Sequence, residues 1–513
     1  MNNLVNDSFY KQHEDNRDFY RSYYNALTAL KGIWHGFTRF SFPILLVVFS
    51  IFLLVFSLGC QRNEEPSTLK AGSAKIEITP PVGYPSYRGE SIGVGTPLYA
   101  KALVFKQGKN HGALLICDVL TIPRDLSRIV RRRVSSQTGI PFENISVTAT
   151  HTHAGPAFRE AIERYADRKA NGELTEEDQE SYVADLIRGM TEAIVTANEQ
   201  IREVELAAGI GHEPGVSFNR RRLMTNGKVA WNPGFQNPEL VRPAGPIDPD
   251  VHFVMFSPTD KENFSASLTV FANHTDTRGG TEFHADYPYY LQENLKEIFN
   301  EELISVFGNG TCGDLNHHDF SAPRPSEKKT EMIGEKLAEA IQEAFSERRQ
   351  LNPDLKIVSR TIYPALQGFT EEEYQWALDE DADPLYNERP FWEERRRNKI
   401  LDLKQMRGNE AVTPVVSGDP WRLPVEIHVF RLDSETAIVT LPGEVSVELG
   451  LDLKERSPFD NTMVIELANI DIHYVPTKRQ YREGEYEPMN SRLAPGSGEK
   501  MVEEALQMLK HAK

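Results

Sequence analysis

Residues 100–119 read AKALVFKQGKNHGALLICDV, which is two apolar runs separated by a polar stretch. A third run, NISVTATHTH, follows at residues 144–153. Each run has the length of a strand and is closed by polar or turn residues. The three runs therefore predict three buried β-strands.

Helical and strand patterns alternate along the rest of the chain. Helical periodicity with mixed charges covers residues 159–200, 326–349, 371–407 and a final segment from about 499 to 510. We interpret residues 371–407 as a solvent-exposed helical insertion. The segments VEIHVFRL and ETAIVTL, joined by Asp433-Ser434, predict a hairpin, and TMVIELA predicts a further strand. This alternation predicts one large layered α/β domain.

The composition is that of an ordinary globular chain. Of the 513 residues, 40% are hydrophobic and 26% charged, and the formal net charge is −18. An acidic surface argues against nucleic-acid binding, which needs a basic face. Only three cysteines occur, Cys60, Cys117 and Cys312, which is too few for a disulfide framework.

The N-terminal part predicts attachment to a membrane. Residues 42–59, FPILLVVFSIFLLVFSLG, are uncharged and just long enough to span a bilayer. Lys31 and Arg39 precede them, which places residues 1–40 in the cytoplasm and the remainder outside, in the periplasm or at the cell surface. Two interpretations of residues 41–60 stay open: an uncleaved transmembrane anchor, or a lipoprotein signal with Cys60 lipidated. Residues 61–70 form a linker, and residues 71–513 form the exported domain.

The motif Thr150-His151-Thr152-His153-Ala154-Gly155-Pro156 closes the third apolar run. If the strand continues through it, residues two apart point the same way, so His151 and His153 face one pocket. Two neutral imidazoles in that arrangement suit zinc. The alternative is a pair of histidines at a polar strand end.

Two further residues follow strand patterns. His274 lies in FANHTDT, directly after the apolar run ASLTVFA, and Asp276 follows two residues on. Glu444 lies in LPGEVSVELG, where a strand passes through Pro-Gly to a helix. Polar residues at strand ends gather where α/β folds place their sites. His274 is either a ligand or a structural histidine, and Glu444 is either a ligand or a helix cap.

Two clusters complete the candidates. The glycine-rich stretch GNGTCGDLNHHD, residues 308–319, holds Asp314, Asn316, His317 and His318, and is either a ligand-binding loop or a surface turn. We expect Cys312 to be a buried small residue, not a nucleophile. The segment NIDIHYVPTKRQYREGEYEP brings together Tyr474, Tyr481 and Tyr486, a residue type that is commonly half-buried with a hydrogen-bonded hydroxyl.

Taken in order, these segments resemble one family. GVGTPLYAKALVF, ATHTHAGP, SFNRR, GPIDPDV, FANHT, CGDLN, LPGE and YVPT…YE are similar to the N-terminal catalytic domain of neutral/alkaline non-lysosomal ceramidases. These are zinc amidohydrolases that cleave the N-acyl bond of ceramide. The resemblance runs from about Ala71 to Tyr486. It implies a mixed β-sheet flanked by helices.

The resemblance also implies roles for individual residues. Zinc would be bound by His151, His274, Glu444 and the hydroxyl of Tyr474. His153 would carry protons, Arg220 would contact the site, and Tyr486 would stabilise the oxyanion. The expected substrate is a lipid or another N-acyl small molecule, whereas the oligomeric state stays open.

The chain departs from the family pattern at Asn316, where ceramidases carry a serine, and His317-His318 replaces the usual Pro-Asn. Since the sequence ends soon after the tyrosine segment, we also expect the C-terminal immunoglobulin-like domain of full-length ceramidases to be missing. Zinc-activated water needs no serine nucleophile, so the leading hypothesis is a membrane-tethered, zinc-dependent amidohydrolase in which Asn316 donates a hydrogen bond to substrate. A second hypothesis is a lipid- or glycan-binding surface protein that has lost catalysis. A third makes His317, His318 and Asp319 ligands of a second metal.

Overall fold

Strands and helices alternate along the part of the chain that the computed structural model describes, residues 68–325, 329–379, 385, 390–408 and 421–513. The strands are β1 (Lys70–Glu77), β2 (Pro85–Ser86), β3 (Gly89–Glu90), β4 (Tyr99–Gln107), β5 (Asn110–Cys117), β6 (Ile145–Ala149), β7 (Arg202–His212), β8 (Phe218–Asn219), β9 (Arg221–Met224), β10 (Val229–Trp231), β11 (Leu240–Pro243), β12 (Asp250–Pro258), β13 (Ala266–Phe271), β14 (Ile304–Asn309), β15 (Leu315–Asn316), β16 (Arg349–Gln350), β17 (Lys356–Ile362), β18 (Val425–Arg431), β19 (Thr436–Thr440), β20 (Glu444–Val445), β21 (Asn461–Ile465) and β22 (Tyr474–Val475). The helices are α1 (Arg124–Thr138), α2 (Arg159–Asn171), α3 (Glu176–Gln179), α4 (Tyr182–Glu199), α5 (Tyr287–Ile298), α6 (Thr330–Ala344), α7 (Glu371–Leu378), α8 (Pro390–Gly408), α9 (Val447–Arg456), α10 (Lys478–Glu483), α11 (Tyr486–Asn490) and α12 (Ser497–Ala512).

The largest sheet is mixed and has the order β14-β13-β12-β7-β1-β4-β5-β6, with β16 beside β7. The two apolar runs at residues 100–119 form the antiparallel pair β4 and β5, in which Ala100 lies opposite Cys117. The pairs β5-β6 and β13-β14 are parallel, and the other neighbours are antiparallel. The three predicted buried strands are therefore confirmed as β4, β5 and β6.

A second sheet, in the order β17-β18-β19-β21, packs on one face of the first. Its Phe430, Ile438 and Met463 share one buried cluster with Phe105 and Leu114 of the large sheet. Its other face is covered by α9 and α12, while α1 and α4 cover the opposite face of the large sheet. The layers thus run helix, sheet, sheet, helix, because both faces of each sheet are apolar and must be covered. The mixed α/β class was predicted, but the second sheet was not.

The predicted hairpin is confirmed as β18 and β19, with His428 opposite Thr440 and Arg431 opposite Ala437. The Asp433 carboxylate holds the turn, because its Oδ1 accepts the backbone N–H groups of Glu435 and Thr436 at 2.9 and 2.8 Å. This is the local hydrogen bonding for which aspartate is favoured in turns.

Helix α4 shows how the helical layer is fixed on the large sheet. Ser181 caps its first turn by accepting the N–H of Ala184, and its buried face includes Leu186 and Ile194. The helix approaches β1 so closely that a Cβ at Gly72 would lie 1.9 Å from the carbonyl oxygen of Ala197. Only glycine fits this contact.

The predicted helical segments are present with interruptions. Residues 159–200 form α2, α3 and α4, residues 330–344 of the second segment form α6, the third segment holds α7 and α8, and the last segment forms α12. None of the helices within the described part of the chain combines the length and apolar character needed to cross a bilayer. The predicted n-region and membrane segment, residues 1–60, and the linker up to residue 67 lie outside the described residues.

Candidate functional site

The loop that carries His151 and His153 begins where β6 ends, at Ala149. The prediction that both histidines project from a strand is therefore wrong. His151 instead has a positive φ of 67°, a conformation that costs a non-glycine residue free energy and is often found at functional sites. The loop is tied to the one after β13, because Thr275 accepts the N–H of His153 at 3.1 Å and donates its hydroxyl to the carbonyl of Thr150 at 2.7 Å.

This pairing of loops brings three histidines together. The ring centroids of His151 lie 4.8 Å from those of both His153 and His274. One nitrogen from each of the three rings lies within 4.8 Å of the others, so the group could hold a metal ion. His151 and His274 are buried, whereas the side chain of His153 keeps 16% of its surface exposed.

Backbone carbonyls orient two of these rings. Nδ1 of His151 donates to the carbonyl of Leu120 at 2.8 Å, and Nδ1 of His274 donates to that of Cys312 at 3.0 Å. With its Nδ1 carrying the proton, each imidazole presents the lone pair of Nε2 to the space between the rings. This is the arrangement in which neutral histidines bind metal.

Glu444 completes the cluster from the other side. Its Oε2 lies 3.4 Å from Nε2 of His151 and 3.5 Å from Nε2 of His274. Within the described part of the chain this buried oxygen accepts no well-formed hydrogen bond. Ligands at about 2.05 Å from a tetrahedral zinc ion are separated by about 3.3 Å, so these three atoms fit such an ion.

A glycine places Glu444 in this position. Gly443 has a φ of 77°, and a Cβ on it would lie 2.6 Å from the carbonyl oxygen of His473. The close approach lets β20 pair in parallel with β22, so that Glu444 lies beside Tyr474. Two of the predicted ligands therefore come from one pair of short strands.

The ionisation of the cluster suits a cation. Burial, followed by the charge of Arg220, lowers the pKa of His274 to about 4, and burial together with His151 lowers the pKa of His153 well below its usual range. Burial opposes ionisation of Glu444, but His151 and His274 hold the pKa of that carboxyl well below normal. Burial also opposes protonation of His151, but Glu444 raises the pKa of that imidazole. At neutral pH the site therefore offers uncharged rings at His153 and His274, and one carboxylate beside His151.

Arg220 lies at the rear of the cluster. Its Nη1 is 3.3 Å from Nε2 of His274, and its guanidinium lies 5.4 and 5.5 Å from the ring centres of Tyr474 and Tyr486. Glu487 fixes it by accepting from its Nε at 2.9 Å. The structure thus brings Arg220 and both tyrosines to the histidine cluster.

A cavity of about 790 Å³ opens onto these residues, with His151, His153, Glu444, Tyr474 and Tyr486 in its wall. Part of the remaining wall is aromatic or apolar, and includes Tyr84, Tyr87, Pro156 and Phe158. Another part is strongly polar, and includes Arg159, Asp471, Asp402, His473 and Arg492. The cavity therefore suits a molecule with one apolar and one polar end.

Helix α8 forms part of the polar wall, through Arg395 and Asp402 among others. Asp402 forms an ion pair with Arg492 and lies 3.4 Å from Nε2 of His473. Leu403, on the same helix, is buried in the core beneath the second sheet. The prediction of a solvent-exposed insertion is therefore wrong for α8, because several of its charged side chains face a cavity.

The sequence also gave no indication of an aromatic stack against Tyr486. The ring of Trp231 lies parallel to that of Tyr486 with centroids 4.3 Å apart, and Phe391 stacks on Trp231 at 6.0 Å. Trp231 is the last residue of β10, in a segment with polar and glycine residues on both sides, a pattern with no catalytic signature. The stack limits the positions that the Tyr486 ring can take.

Asn316 is not brought into the histidine cluster. Its amide nitrogen donates to Oδ1 of Asn232 at 3.1 Å, and its oxygen accepts the backbone N–H of His318 at 2.9 Å. It is buried and does not line the cavity. A direct hydrogen bond from Asn316 to substrate, as predicted, would need this pairing to change.

The other candidates from the glycine-rich stretch lie apart from the cluster. The ring centroids of His317 and His318 lie 3.9 Å apart with the rings tilted by 50°, but within the described residues the two histidines belong to no group of three possible metal ligands. Cys312 is fully buried, and burial raises the pKa of its thiol well above the usual value. The expectation that Cys312 is a buried small residue is confirmed.

Comparisons with known proteins agree with the predicted resemblance. Residues 71–281 match the family model for the N-terminal part of neutral/alkaline non-lysosomal ceramidases. A neutral ceramidase from Mycobacterium tuberculosis is 21% identical over 465 residues, which cover 79% of this chain and 70% of that protein.

Two solved structures share the mixed α/β fold. The neutral ceramidase from Pseudomonas aeruginosa aligns with a TM-score of 0.64 at 17% identity, over 87% of this chain and 75% of that chain. A ceramidase complexed with C2 aligns with a TM-score of 0.64 at 16% identity, over 86% and 75% of the two chains. The predicted mixed α/β fold is thereby confirmed.

Proposed function

We propose that this chain, which matches the neutral/alkaline non-lysosomal ceramidase model over residues 71–281, is a zinc-dependent amidohydrolase. Its substrate is an N-acyl amide, either ceramide-like or a related lipid. The observation that carries the proposal is that Oε2 of Glu444 lies 3.4 Å from Nε2 of His151 and 3.5 Å from Nε2 of His274.

The donor set supports zinc as the metal. Two imidazoles and a carboxylate are borderline and hard donors that zinc accepts readily, and Tyr474 lies beside Glu444 to supply a fourth position. When bound, zinc would lower the pKa of a water molecule toward about 7 and polarise the scissile carbonyl. No serine nucleophile is then required, so Asn316 is compatible with hydrolysis.

The remaining residues have two roles, which are proton transfer and stabilisation of the negative charge that forms on the carbonyl oxygen. His153 is held neutral by burial and keeps a partly exposed ring, so it takes a proton at Nε2 and delivers it to the leaving amine. The hydroxyl of Tyr486 and the guanidinium of Arg220 stabilise negative charge on the carbonyl oxygen. Asn316 supports the wall beside Tyr486 through Asn232, which follows Trp231 in the chain.

The cavity supports an amphiphilic substrate. The apolar part of its wall, with Tyr84 and Phe158, suits an acyl chain, and the polar part, with Asp402 and Arg492, suits a hydroxylated or charged amine. If residues 41–60 attach the exported domain to the outer face of the membrane, they would hold this cavity near lipid substrates. We therefore propose a membrane-tethered, extracytoplasmic enzyme.

The test uses the purified full-length chain and a panel of N-acyl lipids and N-acyl amino acids. Fatty-acid release is measured as purified, after chelation, and after zinc is restored. We expect release that chelation abolishes and zinc restores. Full release after complete metal removal would overturn the proposal.

A second candidate function, lipid or glycan binding without catalysis, is considered because Asn316 replaces the family serine. Zinc binding with no release from any amide or ester, together with saturable lipid binding, would favour a lipid- or glycan-binding protein that has lost catalysis. A cooperative thermal unfolding transition of the same sample would distinguish that outcome from misfolding.

A further inference from the structure

Helix α1 carries an arginine face. Arg124, Arg128, Arg131 and Arg132 occur at spacings of four, seven and eight residues, which place them on one side of a helix. In a chain with a formal net charge of −18, such a concentration of positive charge is unusual. The face does not belong to the histidine cluster described above.

The arginine face lines a second cavity, of about 660 Å³. All four arginines contribute to its wall, together with Ser135 and Ser136 further along α1. The opposite wall comes from residues 424–426 at the start of β18 and from residues 469–470. The cavity therefore lies between α1 and the beginning of an interior strand of the second sheet.

The wall of this cavity carries more positive than negative charge. Glu426 is the one carboxylate in its wall, and it forms an ion pair with Arg131. Within the described part of the chain, Arg128 and Arg132 have no carboxylate within 4.0 Å. The wall thus carries four guanidinium groups against one carboxylate.

Arg131 forms a rigid floor for the cavity. Its side chain is 2% exposed, its guanidinium lies 3.9 Å from the ring centre of Phe142, and it donates to the Phe142 carbonyl at 3.0 Å. Arg128 acts on Arg124 through its charge, because after burial it is the main cause that lowers the pKa of Arg124. An anion placed among them would relieve this repulsion.

We infer that the cavity formed by Arg124, Arg128, Arg131 and Arg132 binds a phosphate group carried by a small molecule or by a lipid. Guanidinium groups match the oxygens of phosphate in pairs, which favours arginine over lysine at such sites. A volume of about 660 Å³ exceeds that of inorganic phosphate, so an organic phosphate fits the space better.

The site adjoins the proposed active-site cavity. Pro123 and Asp471 line the larger cavity, whereas their neighbours Arg124 and Ile470 line the arginine cavity. The inference does not depend on amide hydrolysis, however, since its evidence is the arginine wall alone.

The test measures binding by the full-length wild-type chain and by the double variant R128Q/R132Q. The soluble probes are inorganic phosphate and glycerol 3-phosphate, followed by calorimetry. The lipid probe is vesicles of phosphatidylcholine with and without phosphatidylglycerol, followed by co-sedimentation. The matched control is R188Q/R242Q, which removes two exposed arginines elsewhere. Arg132 is exposed, so R132Q alone tests the site if the double variant fails to fold.

We expect saturable binding that weakens with salt and falls at least about tenfold in R128Q/R132Q but not in R188Q/R242Q. Loss of glycerol 3-phosphate binding would assign a soluble ligand, and loss of binding only to phosphatidylglycerol vesicles would assign a lipid headgroup. No binding of any probe, or equal losses in the two double variants, would overturn the inference.

Discussion

Nε2 of His153 lies 3.4 Å from Nε2 of His151, the same distance that separates Nε2 of His151 from Oε2 of Glu444. His153 and Glu444 therefore both stand within reach of a metal held by His151. The two differ in surroundings, because Glu444 is buried while His153 faces the cavity with a partly exposed side chain.

We predict that His153→Ala keeps its zinc and loses activity. A group that moves a proton in the transition state contributes about 10²–10⁴-fold to the rate, so kcat falls by that range while zinc content is unchanged. Metal analysis of the sample checks the zinc content, and initial rates measured on the same sample check kcat. Zinc loss as complete as in His151→Ala would make His153 a ligand.

Substitution of the two tyrosines at the site is predicted to change two different properties, zinc affinity and kcat. Tyr474→Phe weakens zinc affinity, because the hydroxyl beside Glu444 is lost. Tyr486→Phe keeps zinc and lowers kcat by roughly 10²–10³-fold, the usual effect of removing one oxyanion donor. Competition with a chromogenic chelator measures the first effect. Equal zinc affinities in the two variants would contradict the assignment of Tyr474 as a ligand.

Glu466 is predicted to support the site as a neutral group. Its Oε2 accepts the backbone N–H groups of Cys312 at 3.2 Å and Val445 at 2.6 Å, and burial raises its pKa to about 8. Glu466→Gln keeps these bonds and changes the free energy of unfolding by less than about 1 kcal/mol.

Glu466→Leu, by contrast, leaves two buried N–H groups unpaired and lowers the free energy of unfolding by roughly 2–5 kcal/mol. Urea denaturation of both variants at pH 7 makes the comparison. If Glu466→Gln is as unstable as Glu466→Leu, the native side chain is a carboxylate.

Acid sensitivity is predicted from His428, which is fully buried in the second sheet. Burial, followed by the charge of Arg131, lowers its pKa to about 4. The unfolded chain then binds a proton below pH 6.5 that the folded chain does not, so stability from this group is present above pH 6.5 and is lost as the pH falls toward 4.

The loss between pH 6.5 and 5 is about 2 kcal/mol for this one group. His428→Gln should therefore show a shallower fall in the free energy of unfolding over that window than wild type. His212→Gln, which changes an exposed histidine, is the control. If the free energy of unfolding falls equally with pH in His428→Gln and in wild type, His428 is not the cause of the acid sensitivity.

The elements of the fold that could be predicted are those with a local sequence pattern, such as an apolar run or a turn residue. The strands β4, β5 and β6 are mostly apolar runs, and the hairpin of β18 and β19 has an aspartate in its turn. The second sheet was missed because its contact with the large sheet, such as that of Phe430 with Phe105, joins residues far apart in sequence. No periodicity within one segment carries that information.

The candidate site shows the same limit. His151, His274 and Glu444 were found because each follows an apolar strand, yet His151 reaches the site through a positive φ and not through strand alternation. Arg395 and Asp402 were assigned to a solvated helix, because a charged helix face looks the same in sequence whether it meets water or a polar cavity. Their roles depend on packing that only the folded chain defines.

The most direct test of the account is the zinc content of the full-length wild-type chain and of His274→Ala, measured by mass spectrometry together with fatty-acid release. His212→Ala serves as the control variant. We predict one zinc per chain in wild type and in the control, and loss of both zinc and release in His274→Ala. Full fatty-acid release from His274→Ala without bound metal would contradict the central claim.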